Sequence, residues 1–219
     1  MKQVTLIGAT GLIGGHLLTE LLQHPSIEAV RVIARRPLER THPKLEVRVI
    51  DFSDLVQFKS AIEGSSAVFV AVGTTSNKVK GDEAEYRKVD YDIPVNAARF
   101  CNELGCPHFS LVSSTGSDSK SFNFYARLKG EVEDAVKAFP ISSISIFRPS
   151  LLLGERKEFR LGERISEAVM SPFSFLIPNQ YKAIQASAVA KAMLAAALQL
   201  KPGVNVYHYE EIMALAKSV

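Results

Sequence analysis

Short apolar runs alternate with longer helical patterns through the first two-thirds of the chain. Six runs rich in β-branched residues predict strands, at residues 2–8, 28–34, 44–50, 66–73, 108–114 and 142–149. The run at 66–73 is apolar on both faces, as a strand buried between two layers of helices requires. Such regular alternation indicates βαβ units. The sequence therefore predicts an α/β fold, a doubly wound parallel sheet of the Rossmann-like type.

Helical patterns fill the intervals between these runs. Leucines at helical spacing predict a first helix that stops at Pro25, and Ser53 is a suitable N-cap for a second. Further helical patterns extend from about Asp82 to Leu104 and from Tyr125 toward Ala138. These helices would connect the predicted strands and cover the two faces of the sheet.

The strand–helix rhythm weakens after about Leu153. We interpret residues 1–219 as one domain, in which about 150–219 contributes a small C-terminal cap. The segment of this cap at about residues 152–182 contains "FSFLIP", which would give a substrate pocket partly apolar walls, although the same residues would also serve to pack the cap.

Composition excludes several classes of protein. A net charge of +3 without a dense Lys/Arg block argues against nucleic-acid binding. Apolar stretches are too short for a membrane span or a signal peptide, so we expect a soluble, cytoplasmic protein. Cys101 and Cys106 are interpreted as reduced thiols, and the five histidines lack ligand spacing, so no metal site is predicted.

A glycine-rich turn follows the first predicted strand and opens the first helix. Its sequence is "GATGLIGG", in which Gly8, Gly11 and Gly14 form a variant of the dinucleotide fingerprint. The three glycines allow a tight turn, the approach of a pyrophosphate and close packing of the helix on the sheet. Backbone N–H groups at the helix N-terminus would then bind the phosphates. The predicted cofactor contacts of this turn also include Thr10, Leu12 and Ile13.

The end of the second predicted strand carries arginines where a protein that selects NAD carries an acidic residue. Arg35 and Arg36 follow Ala34, and the next carboxylate is Glu39. A guanidinium binds a 2′-phosphate through charge-assisted hydrogen bonds, whereas a carboxylate would repel it. Two exposed surface arginines remain the alternative, but the pattern favours NADP(H) as the cofactor.

Two further turns would lie at the same edge of the sheet. Asp51 and Phe52 follow the third strand, where Asp51 would either accept a hydrogen bond from the adenine or, like Ser53, cap the next helix. After the fourth strand we predict cofactor contacts from Val72, Gly73 and Thr74.

Tyr125 and Lys129 are spaced i and i+4 and therefore share one helix face. Chance alone makes a Tyr-x-x-x-Lys match common, so the surroundings of the pair matter. Ser113 and Ser114 end the strand that precedes this helix, at the edge where a cofactor and a substrate would meet. Ser114, Tyr125 and Lys129 thus have a structural reason to converge.

Segments spread over the whole chain together resemble one family of enzymes. They include "LIGATGLIGGHLL", "KVDYDIPVNAARFC", "LVSSTGSD", "YARLKGEVE", "IFRPSLLLGER" and "VYHYEEIMAL". The chain resembles the short-chain dehydrogenase/reductases of the extended or atypical type, with its closest likeness to the branch of Tat-interacting-protein-like oxidoreductases.

The resemblance implies a role for each of these residues. Tyr125 would be the general acid for a carbonyl oxygen, and Lys129 would hold the nicotinamide ribose and lower the pKa of Tyr125. Ser114 would bind the same oxygen, with Ser113 as the fallback. Arg148, in "FRPSLLLG", matches a family turn near the nicotinamide.

The chain also departs from the family pattern. It lacks the larger substrate domain of the extended enzymes, and Asp90 stands where many relatives have an asparagine that supports a proton relay. We predict an NADP(H)-dependent oxidoreductase, monomeric or homodimeric, that acts on a small carbonyl or alcohol. The alternatives are a regulatory NADP(H)-binding protein with a protein partner, and a relative of the epimerase or dehydratase type.

Overall fold

The computed structural model describes residues 1–73, 82–154 and 181–219 of the chain. The described strands are β1 (Gln3–Ile7), β2 (Ala29–Ala34), β3 (Leu45–Val49), β4 (Ala67–Val70), β5 (His108–Val112), β6 (Ser143–Phe147), β7 (Leu152–Leu153), β8 (Ile184–Gln185) and β9 (Gly203–Tyr207). The described α-helices are α1 (Leu12–Gln23), α2 (Leu55–Ile62), α3 (Glu83–Arg87), α4 (Ile93–Glu103), α5 (Phe124–Lys137), α6 (Ala186–Gln199) and α7 (Tyr209–Ala216).

Seven strands form one parallel sheet in the order β3-β2-β1-β4-β5-β6-β9. Buried residues of α1, α6 and α7 cover one face, and those of α2, α4 and α5 cover the other. From β1, the strands β2 and β3 are added on one side of the sheet, and β4, β5, β6 and β9 are added on the other. Doubly wound folds bind their ligands at the point where the order of addition changes sides. The predicted α/β class and all six predicted strands are confirmed.

The last third of the chain differs from its prediction as a cap. Residues 186–216 form α6, β9 and α7, and β9 pairs with β6 to become the edge strand of the main sheet. In the part of the chain that the structure describes, β7 and β8 form a separate two-stranded sheet. Most of the predicted substrate cap, including "FSFLIP", lies outside the described residues. The main sheet therefore uses more of the C-terminal region than the sequence pattern suggested.

The predicted helical region between Asp82 and Leu104 contains an irregular turn. Residues Lys88–Asp92 form one π-helical turn between α3 and α4. Pro94 follows in the first turn of α4 and has no N–H to donate to the preceding turn. The missing donor gives a local reason for the wider turn, and such π turns are frequent at functional sites. Asp90, at the centre of this turn, is buried.

The glycines of the first turn bring three backbone segments into contact. Gly8 has φ +98°, and a Cβ on it would lie 2.6 Å from the carbonyl of Ala71, just after β4. A Cβ on Gly14 would lie 2.0 Å from the Gly8 carbonyl oxygen. Both distances are far below van der Waals contact, so neither position can hold a side chain unless the backbone moves.

Adjacent glycines of α1 allow a matched test of this contact. We expect Gly14→Ala to lower the free energy of unfolding by roughly 2–3 kcal/mol or more, because its Cβ meets backbone that cannot yield. Gly15→Ala places a Cβ at 3.6 Å from the Ala9 carbonyl oxygen, so it should be neutral or stabilising by up to about 1 kcal/mol. Urea unfolding of both variants measures the difference, and equal effects would contradict the packing argument.

His108 is a buried titratable residue of β5. Its Nδ1 lies 3.0 Å from the Ser143 hydroxyl, and its ring is tilted against Phe69. Burial disfavours the charged imidazolium and lowers the pKa of His108 from 6.5 to about 4. The folded protein therefore takes up the proton only at lower pH than the unfolded chain does.

This shift makes stability depend on pH. Because the unfolded chain binds the proton first as pH falls below 6.5, His108 should cost the native state about 2 kcal/mol between pH 8 and pH 5. His108→Gln has no proton to bind and should lose correspondingly less stability over that range. Urea unfolding at both pH values tests this, and an unchanged pH dependence in the variant would show that His108 does not titrate as inferred.

Candidate functional site

The candidate site lies at the edge where the parallel strands end. The turns after β1, β2, β4 and β5 all leave the sheet at this edge. The helix α5 follows β5 and therefore begins near the same edge. Ligands of doubly wound folds bind at this edge because its loops and helix N-termini converge there. The predicted cofactor and catalytic residues are therefore spatial neighbours, although they are distant in sequence.

The N-terminus of α1 is open to an anion. Its N-cap residue Gly11 has no side chain to bond the first N–H groups, and the first turn carries no acidic residue. Thr10 and Gly11 are exposed, whereas Ile13 and Gly14 are buried. A Cβ on Gly11 would lie 3.3 Å from the Gly8 carbonyl oxygen, which is a tight contact. The glycine avoids this contact and leaves no side chain between the turn and a ligand. Backbone donors and the helix dipole thus fit the pyrophosphate of a dinucleotide.

Leu12 connects this turn to the C-terminal region. Its Cδ1 would lie 3.0 Å from a Cβ on Gly154, the residue that follows β7. Leu12 is half-buried, and its side chain lies against the segment at Gly154, while its backbone belongs to the first turn of α1. Any cofactor contact at Leu12 would therefore come from its backbone.

Arg35 and Arg36 immediately follow β2, and both are exposed. Within the described ranges neither side chain forms a hydrogen bond or an ion pair with another residue. Two uncommitted guanidinium groups beside the glycine-rich turn fit a phosphate on the adenosine ribose. Their position is compatible with the predicted 2′-phosphate site.

Asp51 serves a local role after β3. Its Oδ1 accepts a hydrogen bond of 2.9 Å from the Ser53 N–H, and this bond lowers the pKa of the exposed Asp51 carboxyl. The N-cap of α2 is Asp54, which accepts from the N–H groups of Val56 and Gln57. The predictions of a Ser53 or Asp51 cap are therefore wrong: the cap lies at the residue whose carboxylate reaches the first free N–H groups.

The remaining predicted cofactor contacts flank these turns. Phe52 packs edge-on against Phe58, with ring centroids 4.8 Å apart, so it joins the core beside α2. Val72 is half-buried and Gly73 is exposed where the chain leaves β4. Thr74 lies outside the described residues. A cofactor would meet mainly backbone at Val72 and Gly73.

Tyr125 and Lys129 lie on one face of α5, as predicted. Asn123 caps this helix by accepting from the Ala126 N–H. The Lys129 ammonium nitrogen lies 5.8 Å from the centroid of the Tyr125 ring. Tyr125 is 42% exposed, whereas the Lys129 side chain is only 6% exposed. The phenol can therefore meet a substrate while the lysine lies beneath it.

Lys129 forms an ion pair that the sequence did not indicate. Its ammonium nitrogen is 2.8 Å from Oδ1 of Asp90, and the Asp90 side chain is 1% exposed. Asp90 belongs to the π-helical turn, 39 residues before Lys129, so no local spacing could have revealed the pair. A Cβ on Gly73 would lie 3.7 Å from the same carboxylate oxygen. The pair thus borders the backbone segment predicted to contact the cofactor.

The two candidate serines occupy different environments. Ser113 is buried, and its hydroxyl donates to Glu133 at 2.6 Å, which commits it to a structural bond. Ser114 is half-buried, and among the described residues its hydroxyl donates one long bond of 3.4 Å, to the Thr115 carbonyl. Ser114 is therefore the serine whose hydroxyl is more available to a substrate oxygen.

Arg148 is bound by a carboxylate. Its Nε and Nη2 donate to the two oxygens of buried Glu133, at 2.8 Å and 2.6 Å. Burial would raise the pKa of Glu133, but the bonds from Arg148, Ser113 and Lys137 outweigh it and hold the pKa below its ordinary value. Sequence reasoning missed Glu133, and its position eight residues after Tyr125 on the same helix face was the available signal. A cofactor contact of Arg148 would have to use guanidinium N–H groups that do not bond Glu133.

Comparison with known proteins agrees with this arrangement. Residues 8–168 match the family described as NAD(P)H-binding. The chain is 34% identical over 196 residues to the protein HTATIP2 of Rattus norvegicus, covering 88% of this chain and 80% of that protein. It is 33% identical over 215 residues to the mitochondrial protein fmp52 of Aspergillus niger, covering 93% and 90%.

A solved structure shows the same fold. MoeE5, in complex with UDP-glucose and NAD, superposes with a TM-score of 0.71 at 18% identity, covering 99% of this chain and 81% of that one. The name of fmp52 places that relative in mitochondria, so a cytoplasmic location for this protein stays a prediction. Within residues 1–73, 82–154 and 181–219, no helix is long and apolar enough to cross a membrane.

The match over residues 8–168, together with identities above 30% across most of the chain, places the protein in the NAD(P)H-binding Rossmann-type family that includes HTATIP2 and fmp52.

Proposed function

We propose that the protein is an NADP(H)-dependent oxidoreductase that interconverts a carbonyl and an alcohol on a small, partly apolar substrate. The observation that carries this proposal is the position of Tyr125 and Lys129 on one face of α5, at the sheet edge that also carries the open N-terminus of α1. A proton donor and a dinucleotide cradle at one sheet edge are what carbonyl reduction needs.

Each residue would act on a specific atom. NADP(H) supplies or accepts the hydride. The Tyr125 hydroxyl would donate its proton to the carbonyl oxygen and take it back in the reverse direction. The Ser114 hydroxyl would donate a hydrogen bond to the same oxygen and hold it near Tyr125. Lys129 would donate to the nicotinamide ribose hydroxyls, while the glycine-rich turn binds the pyrophosphate.

NADP(H) rather than NAD(H) is supported by charge. Arg35 and Arg36 are exposed at the end of β2, where an acidic residue would bind a free ribose 2′-hydroxyl. A doubly charged phosphate gains from two guanidinium groups that, among the described residues, form no ion pair with a carboxylate.

Replacing Arg35 tests this preference directly. We expect Arg35→Ala to weaken NADPH binding by about tenfold, because a charge-assisted hydrogen bond is lost, and to leave NADH binding nearly unchanged. Calorimetric titration measures both affinities, and it suits a chain that has no Trp to report binding by fluorescence. Equal affinity of the unmodified protein for NADPH and NADH would refute the proposed role of the arginines, but it would not contradict the Rossmann-like fold.

Tyr125→Phe tests the reaction itself. Removing the phenolic proton should lower turnover of a reactive carbonyl substrate by about 100-fold or more, with NADPH affinity within about twofold of the original. Tyr209→Phe, at the start of α7, is the matched control and should keep full activity. A screen of carbonyl compounds that follows NADPH oxidation supplies the measurement.

Three results would contradict parts of this proposal. Substrate conversion without net NADPH consumption would favour the epimerase-type alternative, since such an enzyme returns the hydride to its substrate. Tight NADPH binding with no conversion of any carbonyl compound would favour the regulatory alternative, in which cofactor occupancy alters a protein partner. Retained activity in Tyr125→Phe would remove Tyr125 from the proposed chemistry.

A further inference from the structure

The ion pair between Asp90 and Lys129 is buried on both sides. The two side chains are 1% and 6% exposed, and their charged atoms lie 2.8 Å apart. Moving either charge out of water is costly unless a partner compensates it. Each charge therefore offsets part of the desolvation cost of the other. The pair joins α5, which carries Tyr125, to the π-helical turn before α4.

Other bonds besides this pair hold α5 against its neighbours. Glu133 already links α5 to the ends of β5 and β6, through the Ser113 hydroxyl and the Arg148 guanidinium. On the outer side, Arg87 of α3 donates to Glu131 of α5 at 2.6 Å. With the helix held on both sides, the Asp90 carboxylate has a narrower effect, which is to set the position of one ammonium group.

The position of Asp90 links that effect to the cofactor. Its Oδ1 would lie 3.7 Å from a Cβ on Gly73, on the chain segment that leaves the sheet edge after β4. Lys129 at the same carboxylate lies beneath Tyr125. The nicotinamide half of a dinucleotide must reach Tyr125, whereas the adenosine half is held at α1 and β2. Asp90 therefore acts at one end of the bound molecule only.

We propose that Asp90 is a positioning residue for the nicotinamide half of the cofactor: its carboxylate fixes the Lys129 ammonium at the sheet edge, where that ammonium binds the ribose hydroxyls. The inference rests on the proposed function, since it requires that the protein bind NADP(H). It assigns a role to the acidic residue that stands in place of the asparagine of many related enzymes. On this proposal, loss of the Asp90 carboxylate weakens the contribution of Lys129 to binding.

The test compares two probes on the same variants. NADPH contains both halves of the cofactor, whereas adenosine 2′,5′-bisphosphate contains only the adenosine half with its 2′-phosphate. The variants are Asp90→Asn, Lys129→Met and the double variant, with Asp92→Asn as the control because Asp92 is an exposed carboxylate of the same π-helical turn. Calorimetry gives both affinities, and urea unfolding gives the stability of each variant.

We expect Asp90→Asn and Lys129→Met each to weaken NADPH binding by about tenfold, and the double variant to be no weaker than the single ones. Binding of adenosine 2′,5′-bisphosphate should stay within about twofold in all of them, which damage to the whole site would not allow. The Asp92→Asn control should bind both probes as the original protein does.

Other outcomes overturn the proposal. Unchanged NADPH affinity in Asp90→Asn would reduce the ion pair to a structural contact, and losses that multiply in the double variant would show that the residues act independently. Should Asp90→Asn fail to fold, Asp90→Glu keeps the charge but displaces it, and NADPH affinity equal to that of the original protein would refute the proposal. If the original protein binds neither NADPH nor NADH, the proposed function itself fails. This result is seen with the original protein alone, so it is distinct from a failure of the Asp90 proposal.

Discussion

The contact among three backbone segments at the first turn is the constraint on which the site depends. Gly8 lies against Ala71, and Gly14 lies against Gly8, at distances that exclude any side chain. This contact brings the N-terminus of α1 down to the edge of the central strands β1 and β4. The open N–H groups of the helix then point to the place where the strand order reverses. A dinucleotide site at this edge follows from the packing of glycines, before any side chain that recognises the cofactor is considered.

Two buried carboxylates determine how α5 meets that edge. Glu133 accepts bonds from Arg148 and Ser113, so the ends of β5 and β6 are tied to the middle of the helix. Its lowered pKa means that these bonds favour the ionised form more strongly than burial opposes it, and this contribution to stability is lost as pH falls through the folded-state pKa. Asp90, on the π-helical turn before α4, pairs with Lys129, one turn before Glu133 in α5. The face of α5 toward the site thus carries two buried ion pairs, Lys129 with Asp90 and Glu133 with Arg148.

Much of this architecture could be predicted from the sequence, because it depends on local pattern. Apolar strand runs, the three-residue spacing of the glycines and the four-residue spacing of Tyr125 and Lys129 are each visible within a short stretch of sequence. Strand β9 was missed because it begins at Gly203, and as the edge strand it leaves Val204 exposed. The ion pair of Asp90 and the bidentate pair of Arg148 were missed for a different reason. Both join residues from separate elements, and only the assembled sheet brings them together.

The ion pair also bears on the role that family resemblance implies for Lys129. A lone ammonium would act on its surroundings as a unit charge, whereas Lys129 and Asp90, paired at 2.8 Å, together have no net charge. The field of such a pair is that of a dipole, which declines faster with distance than that of a single charge. The ammonium nitrogen already lies 5.8 Å from the centre of the Tyr125 ring. In the proposed function, an ammonium group fixed in this way would serve to hold the nicotinamide ribose.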